Sequence, residues 1–168
     1  MRAIDVRDLL DQPGSARTAP IHEAVEGLRT ELAAVPDDTP IDGDLRLENV
    51  VEGILVSGRL AGRMTFTCAR CLKGFESGFE VELSELFARE PDPDADVYEL
   101  PADGTIDPEP MVRDAVVLSM PFSPLCKPGC RGLCERCGGD RNLGECRCPP
   151  AMTDPRWAGL EGASHLFE

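Results

Sequence analysis

The chain has 168 residues and a formal net charge of -14; 42% of it is hydrophobic and 5% aromatic, with 15 Pro, 16 Gly and 8 Cys. That length fits one domain, or one domain with a small appendage, around a modest core with much loop. The charge disfavours direct attachment to nucleic acid, whose affinity comes mainly from neutralised phosphates, and favours a basic partner.

The first residues, Met1 to Asp8, contain no apolar stretch of the kind that forms a signal peptide, and no run reaches the length of a membrane span. A cytoplasmic address is expected, where thiols stay reduced and clustered cysteines hold metal more often than they pair. Ile4 and Val6 alternate with charge as in a short strand leading to Leu9-Leu10, and Asp11-Gln12-Pro13-Gly14-Ser15 breaks the chain. Val25, Leu28, Leu32 and Val35 recur at helical spacing, so His22 to Val35 is read as a helix that ends at Pro36-Asp37-Asp38-Thr39-Pro40.

Leu45 to Phe87 reads as antiparallel sheet. Val50 to Val56 is mostly β-branched and apolar; Leu60, Met64, Phe66 and Cys68 share one parity. Phe75, Phe79, Val81 and Leu83 share another, with Glu76, Glu80 and Glu82 on the opposite face. Gly53, Gly58 and Gly62 are candidate bulges or turns. Cys68-Ala69-Arg70-Cys71 falls where a strand ends and Leu72-Lys73-Gly74 turns back. Between Glu82 and Pro110 ten acidic residues stand against one basic, and Glu90 to Asp107 reads as a flexible acidic linker, with mimicry of nucleic-acid charge as the sharper alternative. Asp107-Pro108 then opens a helix whose buried face is Met111, Val112, Ala115, Val116 and Ser119, ending at Pro121. The expected division is a mainly β-rich body over 1–122, with the acidic linker at about 90–107, and a Cys-rich tail with a C-terminal segment over 123–168.

The eight cysteines make two complete sets of four sulfur ligands. Two thiolates separated by two residues can point at one tetrahedral centre. Leu133-Cys134-Glu135-Arg136-Cys137-Gly138 is a C-x2-C-G knuckle, in which Gly takes the positive φ that the turn requires. Cys146 and Cys148 follow eight residues on, so Cys134, Cys137, Cys146 and Cys148 are assigned to one zinc ion. Cys126 and Cys130 flank Pro128-Gly129 in a loop and can join Cys68 and Cys71 as a second site. The alternative is that Cys68 and Cys71 are plain reduced thiols beside a turn, which leaves one zinc ion or two. A thioredoxin-like pair at Cys68 and Cys71 would need a βαβ setting, whereas this stretch is β-rich. An iron–sulfur cluster also needs four cysteines, but the paired knuckle spacing favours zinc.

The remaining candidates carry little chemistry. His22 and His165 have no partner at ligand spacing and are read as surface residues; Trp157 is read as an anchor for the tail. No Ser/His/Asp arrangement, phosphate-binding glycine loop or placed carboxylate pair is visible, so no catalytic residue is assigned and no enzyme or small-molecule substrate is expected. From Cys126 to Cys148 five basic residues stand against three acidic. Arg131, Arg136, Arg141 and Arg147 could contact phosphate, although pairing with Glu135 and Glu145 or solvation of the knuckle fits the overall charge better.

Three motifs occur together: Thr67-Cys68-Ala69-Arg70-Cys71-Leu72; the helix Pro110-Met111-Val112-Arg113-Asp114-Ala115-Val116-Val117-Leu118; and Pro124-Leu125-Cys126-x3-Cys130-x-Gly132-Leu133-Cys134-x2-Cys137-Gly138. In combination they resemble the YceD family, the large ribosomal RNA subunit accumulation proteins, and the resemblance runs from Ile4 to Trp157. It implies a bacterial, cytosolic, non-catalytic factor that supports synthesis, processing or stability of 23S ribosomal RNA. It carries over onto Cys68, Cys71, Cys126, Cys130, Cys134 and Cys137; Cys146 and Cys148 rest on spacing. The expected fold is α+β, a β-rich antiparallel sheet or partial barrel with a few short helices and a Cys-rich zinc-binding C-terminal segment. The expected role is ribosome biogenesis through a basic ribosomal protein or a pre-50S particle, with rRNA contact secondary. A zinc-ribbon RNA binder or a thiol-redox protein is the alternative.

Overall fold

The computed structural model describes residues 1–91, 97–144, 146–149 and 156. The chain divides into two compact units, Met1–Cys130 and Arg131–Glu168. The first unit is strand-rich. Its elements run β1 (Ile4–Asp5), α1 (Arg7–Leu10), β2 (Ala16–Glu23), β3 (Ala33–Ala34), β4 (Ile41–Asn49), β5 (Gly53–Thr67), β6 (Gly74–Ala88), β7 (Tyr98–Glu99), β8 (Thr105–Ile106) and α2 (Glu109–Ser119). The main sheet has the order β2-β4-β5-β6-β7, with β3 on β5, and β1 pairs with β8. It is mixed rather than purely antiparallel, because β7 runs parallel to β6 at Phe87↔Tyr98 and Ala88↔Glu99.

Two 15-residue strands, β5 and β6, form the spine. Their ladder runs unbroken from Gly53↔Ala88 to Thr67↔Gly74. The period-2 pattern explains the burial. Ile54, Val56, Leu60, Met64 and Phe66 lie on one face of β5, and Leu83 and Phe87 join them from β6. Glu76, Glu80 and Glu82 face out, as their parity requires. Ile41, Leu45 and Leu47 of β4 and Met111, Val112 and Val116 of α2 complete a continuous core. At the head of α2 the Asp107 carboxylate accepts the Glu109 N–H at 2.9 Å.

Four local expectations are corrected. The His22–Val35 helix does not form. His22 and Glu23 finish β2, and the Arg29↔Ala34 bridge with the Val35 N–H on the Leu28 carbonyl (2.9 Å) folds the rest into a tight return. Val25, Leu28 and Val35 are buried, but from an irregular segment. Ala33 and Ala34 are claimed by β5, and Gly27 takes φ 74, which a helix excludes. Val50 to Glu52 is a turn, not strand: Val50 and Gly53 exchange backbone hydrogen bonds, and Val51 is exposed. Gly58 and Gly62 make neither bulge nor turn. A Cβ at Gly58 would stand 2.3 Å from the Asp44 carbonyl oxygen, and one at Gly62 2.7 Å from the Phe79 ring, so both glycines permit close packing. The acidic stretch is not linker throughout, since Tyr98–Glu99 and Thr105–Ile106 are strands; residues 92–96 lie outside the described residues. Trp157 and His165 also lie outside them. His22 is exposed and pairs with Asp42.

Candidate metal centres

The β5–β6 hairpin ends in the Cys68–Cys71 knuckle. Phe66 and Phe75, cross-strand partners just below it, stack with centroids 5.1 Å apart and stiffen its base. The Leu72 N–H donates to the Cys68 carbonyl at 2.9 Å, and the Cys68 N–H to the Lys73 carbonyl at 2.9 Å. The second unit repeats this wiring. The Gly138 N–H donates to the Cys134 carbonyl at 2.8 Å, and the Cys134 N–H to the Gly139 carbonyl at 2.8 Å. The residue after the second cysteine is left-handed in both, Leu72 at φ 58 and Gly138 at φ 69. Glycine reaches that region freely; leucine does so at a cost of about 1–2 kcal/mol. A leucine in that place is invisible to a C-x2-C-G pattern, which is why the sequence did not reveal that the two turns are alike.

The chain leaving α2 comes to the first knuckle. The Ala69 N–H donates to the Pro124 carbonyl at 2.9 Å, and the Arg70 guanidinium to the Cys130 carbonyl at 3.0 Å. These contacts bring Cys126 and Cys130 beside Cys68 and Cys71, although Cys71 and Cys126 are 55 residues apart. The sulfurs of Cys71 and Cys126 lie 3.7 Å apart, and those of Cys68 and Cys130 lie 3.8 Å apart. All four fall within 4.8 Å of one another, and so do those of Cys134, Cys137, Cys146 and Cys148. None is in a disulfide.

These distances fit one mononuclear ion. A tetrahedron with metal–sulfur bonds of about 2.3 Å has sulfur–sulfur edges of about 3.8 Å. Four sulfurs this close leave no room for a bridged iron–sulfide core. The donor chemistry agrees, because an all-thiolate set suits a soft or borderline cation. Electrostatics point the same way. Backbone N–H groups, first that of Cys126 and then those of Cys71 and Arg70, hold the Cys68 thiol well below its usual value. The Lys73 N–H favours the Cys71 thiolate, but burial and the neighbouring sulfurs outweigh it and push Cys71 up. Burial, then the adjacent sulfurs, raises Cys126. In the second set the backbone N–H groups of Cys137 and Arg136 lower Cys134, while the Cys137 sulfur and then burial raise Cys148. Thus Cys68 in the first set and Cys134 in the second are stabilised as thiolates, while ionisation of Cys71, Cys126 and Cys148 is opposed until a cation balances the charge.

The sets differ in setting. Cys68, Cys71 and Cys130 are buried, whereas Cys137 is exposed and Cys134, Cys146 and Cys148 are half-buried. The second set is framed by the Leu133↔Asp140 bridge and by Asn142, whose side chain accepts the Arg131 N–H at 2.9 Å and donates to Asp140 at 2.7 Å.

A family described as large ribosomal RNA subunit accumulation protein YceD matches residues 56–162, a stretch that includes all eight cysteines. Uncharacterised proteins of Mycobacterium tuberculosis and Mycobacterium bovis are each 37% identical over 175 aligned residues, covering 94% of this chain and 78% of theirs. A Zea mays protein named large ribosomal RNA subunit accumulation protein YCED homolog 1, chloroplastic is 26% identical over 155 residues, 73% of this chain and 50% of its own. No solved structure matches.

Proposed function

Because the chain belongs to the YceD family, we propose that it is a non-catalytic, cytoplasmic factor in ribosome biogenesis, supporting the accumulation of 23S ribosomal RNA and of the large subunit. It acts by holding a basic ribosomal protein, or a pre-50S particle carrying one, until the RNA has folded around it. The observation that carries this reading is the match over residues 56–162, which takes in β6, α2 and both cysteine sets. The net charge of -14 supports a protein rather than a phosphate backbone as the direct contact. The outer face of the sheet supplies fixed carboxylates, with Asp42, Asp44, Glu76, Glu80 and Glu82 all exposed on rigid strands. Among the described residues no helix is long and apolar enough to cross a membrane.

Zinc at each cysteine set is part of this reading. Cys68, Cys71, Cys126 and Cys130 would hold one ion and Cys134, Cys137, Cys146 and Cys148 another. The ion supplies charge balance and cross-linking, and no step of chemistry is asked of it.

Two experiments test the proposal. Pull-downs at low and high salt should recover ribosomal protein or pre-50S material, more at low salt. Cells lacking the gene should show a deficit of large subunits in a sedimentation profile. A normal profile together with empty pull-downs at both salt concentrations would remove it. A second reading has one observation in its favour: Arg131, Arg136, Arg141 and Arg147 are all exposed in the second unit. Direct RNA contact there predicts an affinity that falls steeply with salt, and a flat response would argue against it.

A further inference from the structure

The end of α2 carries a feature that neither cysteine set explains. Leu118 is 84% exposed and Phe122 98% exposed, each two residues from the buried Met120 that lies between them in the chain. They border a groove of about 450 Å³. One wall is Glu31 and Leu32; the other is Val117, Leu118 and Phe122, with Met120 between. Large side chains this bare lose apolar surface to water with no folding return. Phe122 is also held stiffly, in the sequence Pro121-Phe122-Ser123-Pro124, where two fixed proline φ angles limit the loop. The loop is tied at its far end, since the Pro124 carbonyl accepts the Ala69 N–H at 2.9 Å. The opposite wall is tied as well, since the Leu32 carbonyl accepts the Thr67 N–H at 2.8 Å. Both walls are thus anchored to the hairpin tip at Thr67–Ala69, beside the first cysteine set. A preorganised apolar anchor of this sort loses little freedom when it is covered.

The charge around the groove selects the cover. Among the described residues Glu31 is its only charged lining residue, and no described Lys or Arg lines it. Asp114, one turn before Leu118 on the same face of α2, adds an exposed carboxylate that Tyr98 orients at 2.6 Å. Arg113 nearby is engaged by Glu109 at 2.9 Å and by the Glu26 carbonyl at 2.9 Å.

We infer that this groove is the docking site for a segment of a basic ribosomal protein that presents apolar side chains flanked by Lys or Arg. The inference rests on the functional reading above and names the surface that does the holding: Phe122 and Leu118 grip the apolar side chains, and Glu31 and Asp114 face the cations.

The test uses the full, metal-loaded chain and the individual proteins extracted from purified large ribosomal subunits, each measured singly by fluorescence anisotropy at physiological salt. Phe122→Asp and Leu118→Asp are compared with the parent and with Val51→Asp, an equally bare apolar residue at the β4–β5 turn away from the groove. Circular dichroism and metal content check that the exposed substitutions leave the fold intact. The expected result is a basic protein that binds the parent and Val51→Asp alike, within twofold, and binds Phe122→Asp and Leu118→Asp each at least tenfold more weakly. Equal binding by all four would overturn the groove while leaving the functional reading in place. No binding of any extracted protein to the parent would overturn the functional reading and the groove's occupant with it. Self-association of the parent, lost in Phe122→Asp, without binding of any ribosomal protein would assign the groove to a second copy and equally refute the inference.

Discussion

Stripping metal from the first cysteine set should free one segment and leave the sheet standing. Pro121–Cys130 spans ten residues. Fixing a backbone costs about 1–2 kcal/mol per residue, so ordering this segment costs about 10–20 kcal/mol. The bonds from Ala69 to Pro124 and from Arg70 to Cys130 return about 1 kcal/mol each. A structural zinc site supplies about 10–16 kcal/mol of apparent binding free energy, which closes the gap. The core cluster of β4, β5, β6 and α2 does not depend on that segment. Hydrogen exchange with mass spectrometry, before and after chelation, is the direct assay. Peptides covering 121–130 and Ala69 should lose protection, and those covering the β4–β5 ladder should keep it. If free metal stands about a thousandfold above its dissociation constant, chelation removes about 4 kcal/mol. At about 2–4 °C per kcal/mol the thermal midpoint then falls by about 8–16 °C. A chelated sample verified as metal-free, with 121–130 still protected and an unchanged midpoint, would refute the reasoning.

Other perturbations act elsewhere. Gly138→Ala meets no atom within 4 Å, so its effect is the left-handed backbone alone; about 1 kcal/mol is expected, read as a roughly fivefold loss of metal affinity in competition with a chromophoric chelator. Gly58→Ala drives a Cβ to within 2.3 Å of the Asp44 carbonyl oxygen and should lower stability in urea by about 2–3 kcal/mol or more. The Met1 ammonium, then Arg113, holds the Glu109 carboxyl below its ordinary value. A depressed carboxyl contributes stability above its unfolded value near 4.5 that is lost as pH falls through the folded one. The pair is partly exposed, so under about 1 kcal/mol is expected, and Glu109→Gln should flatten the acid limb of a midpoint-against-pH curve below that value.

Much of this arrangement is legible in the residues because its signals are local. Alternation along Met64, Phe66 and Cys68 and along Phe79, Val81 and Leu83 reports a ladder directly, and Asp107-Pro108 marks a helix start. The cysteine spacings report knuckles for the same reason, since two residues between sulfurs leave few geometries. Where partners are distant the sequence is mute. Val25, Leu28 and Val35 have helical spacing because a tight return also places every third or fourth residue inward, and only the pairing of Ala33-Ala34 with Thr65-Phe66 decides between them. Tyr98 and Thr105 read as linker because their neighbours are acidic and proline-rich, yet each pairs with a strand already present, β6 and β1. Leu72 hides a turn that pattern matching reserves for glycine. Phe122 is equally silent, since an exposed phenylalanine and a core one have the same letter.

With an ion bound, the first cysteine set would also make the polypeptide into a ring. The sulfurs of Cys71 and Cys126 stand side by side, so β6, β7, β8 and α2 would then lie on a closed circuit of main chain. Closure of a circuit that size would restrict the unfolded chain by about 4 kcal/mol on the loop-entropy account used for covalent cross-links. A protease that severed one peptide bond inside it would leave two fragments joined even in denaturant, and they would part only once the ion is withdrawn as well.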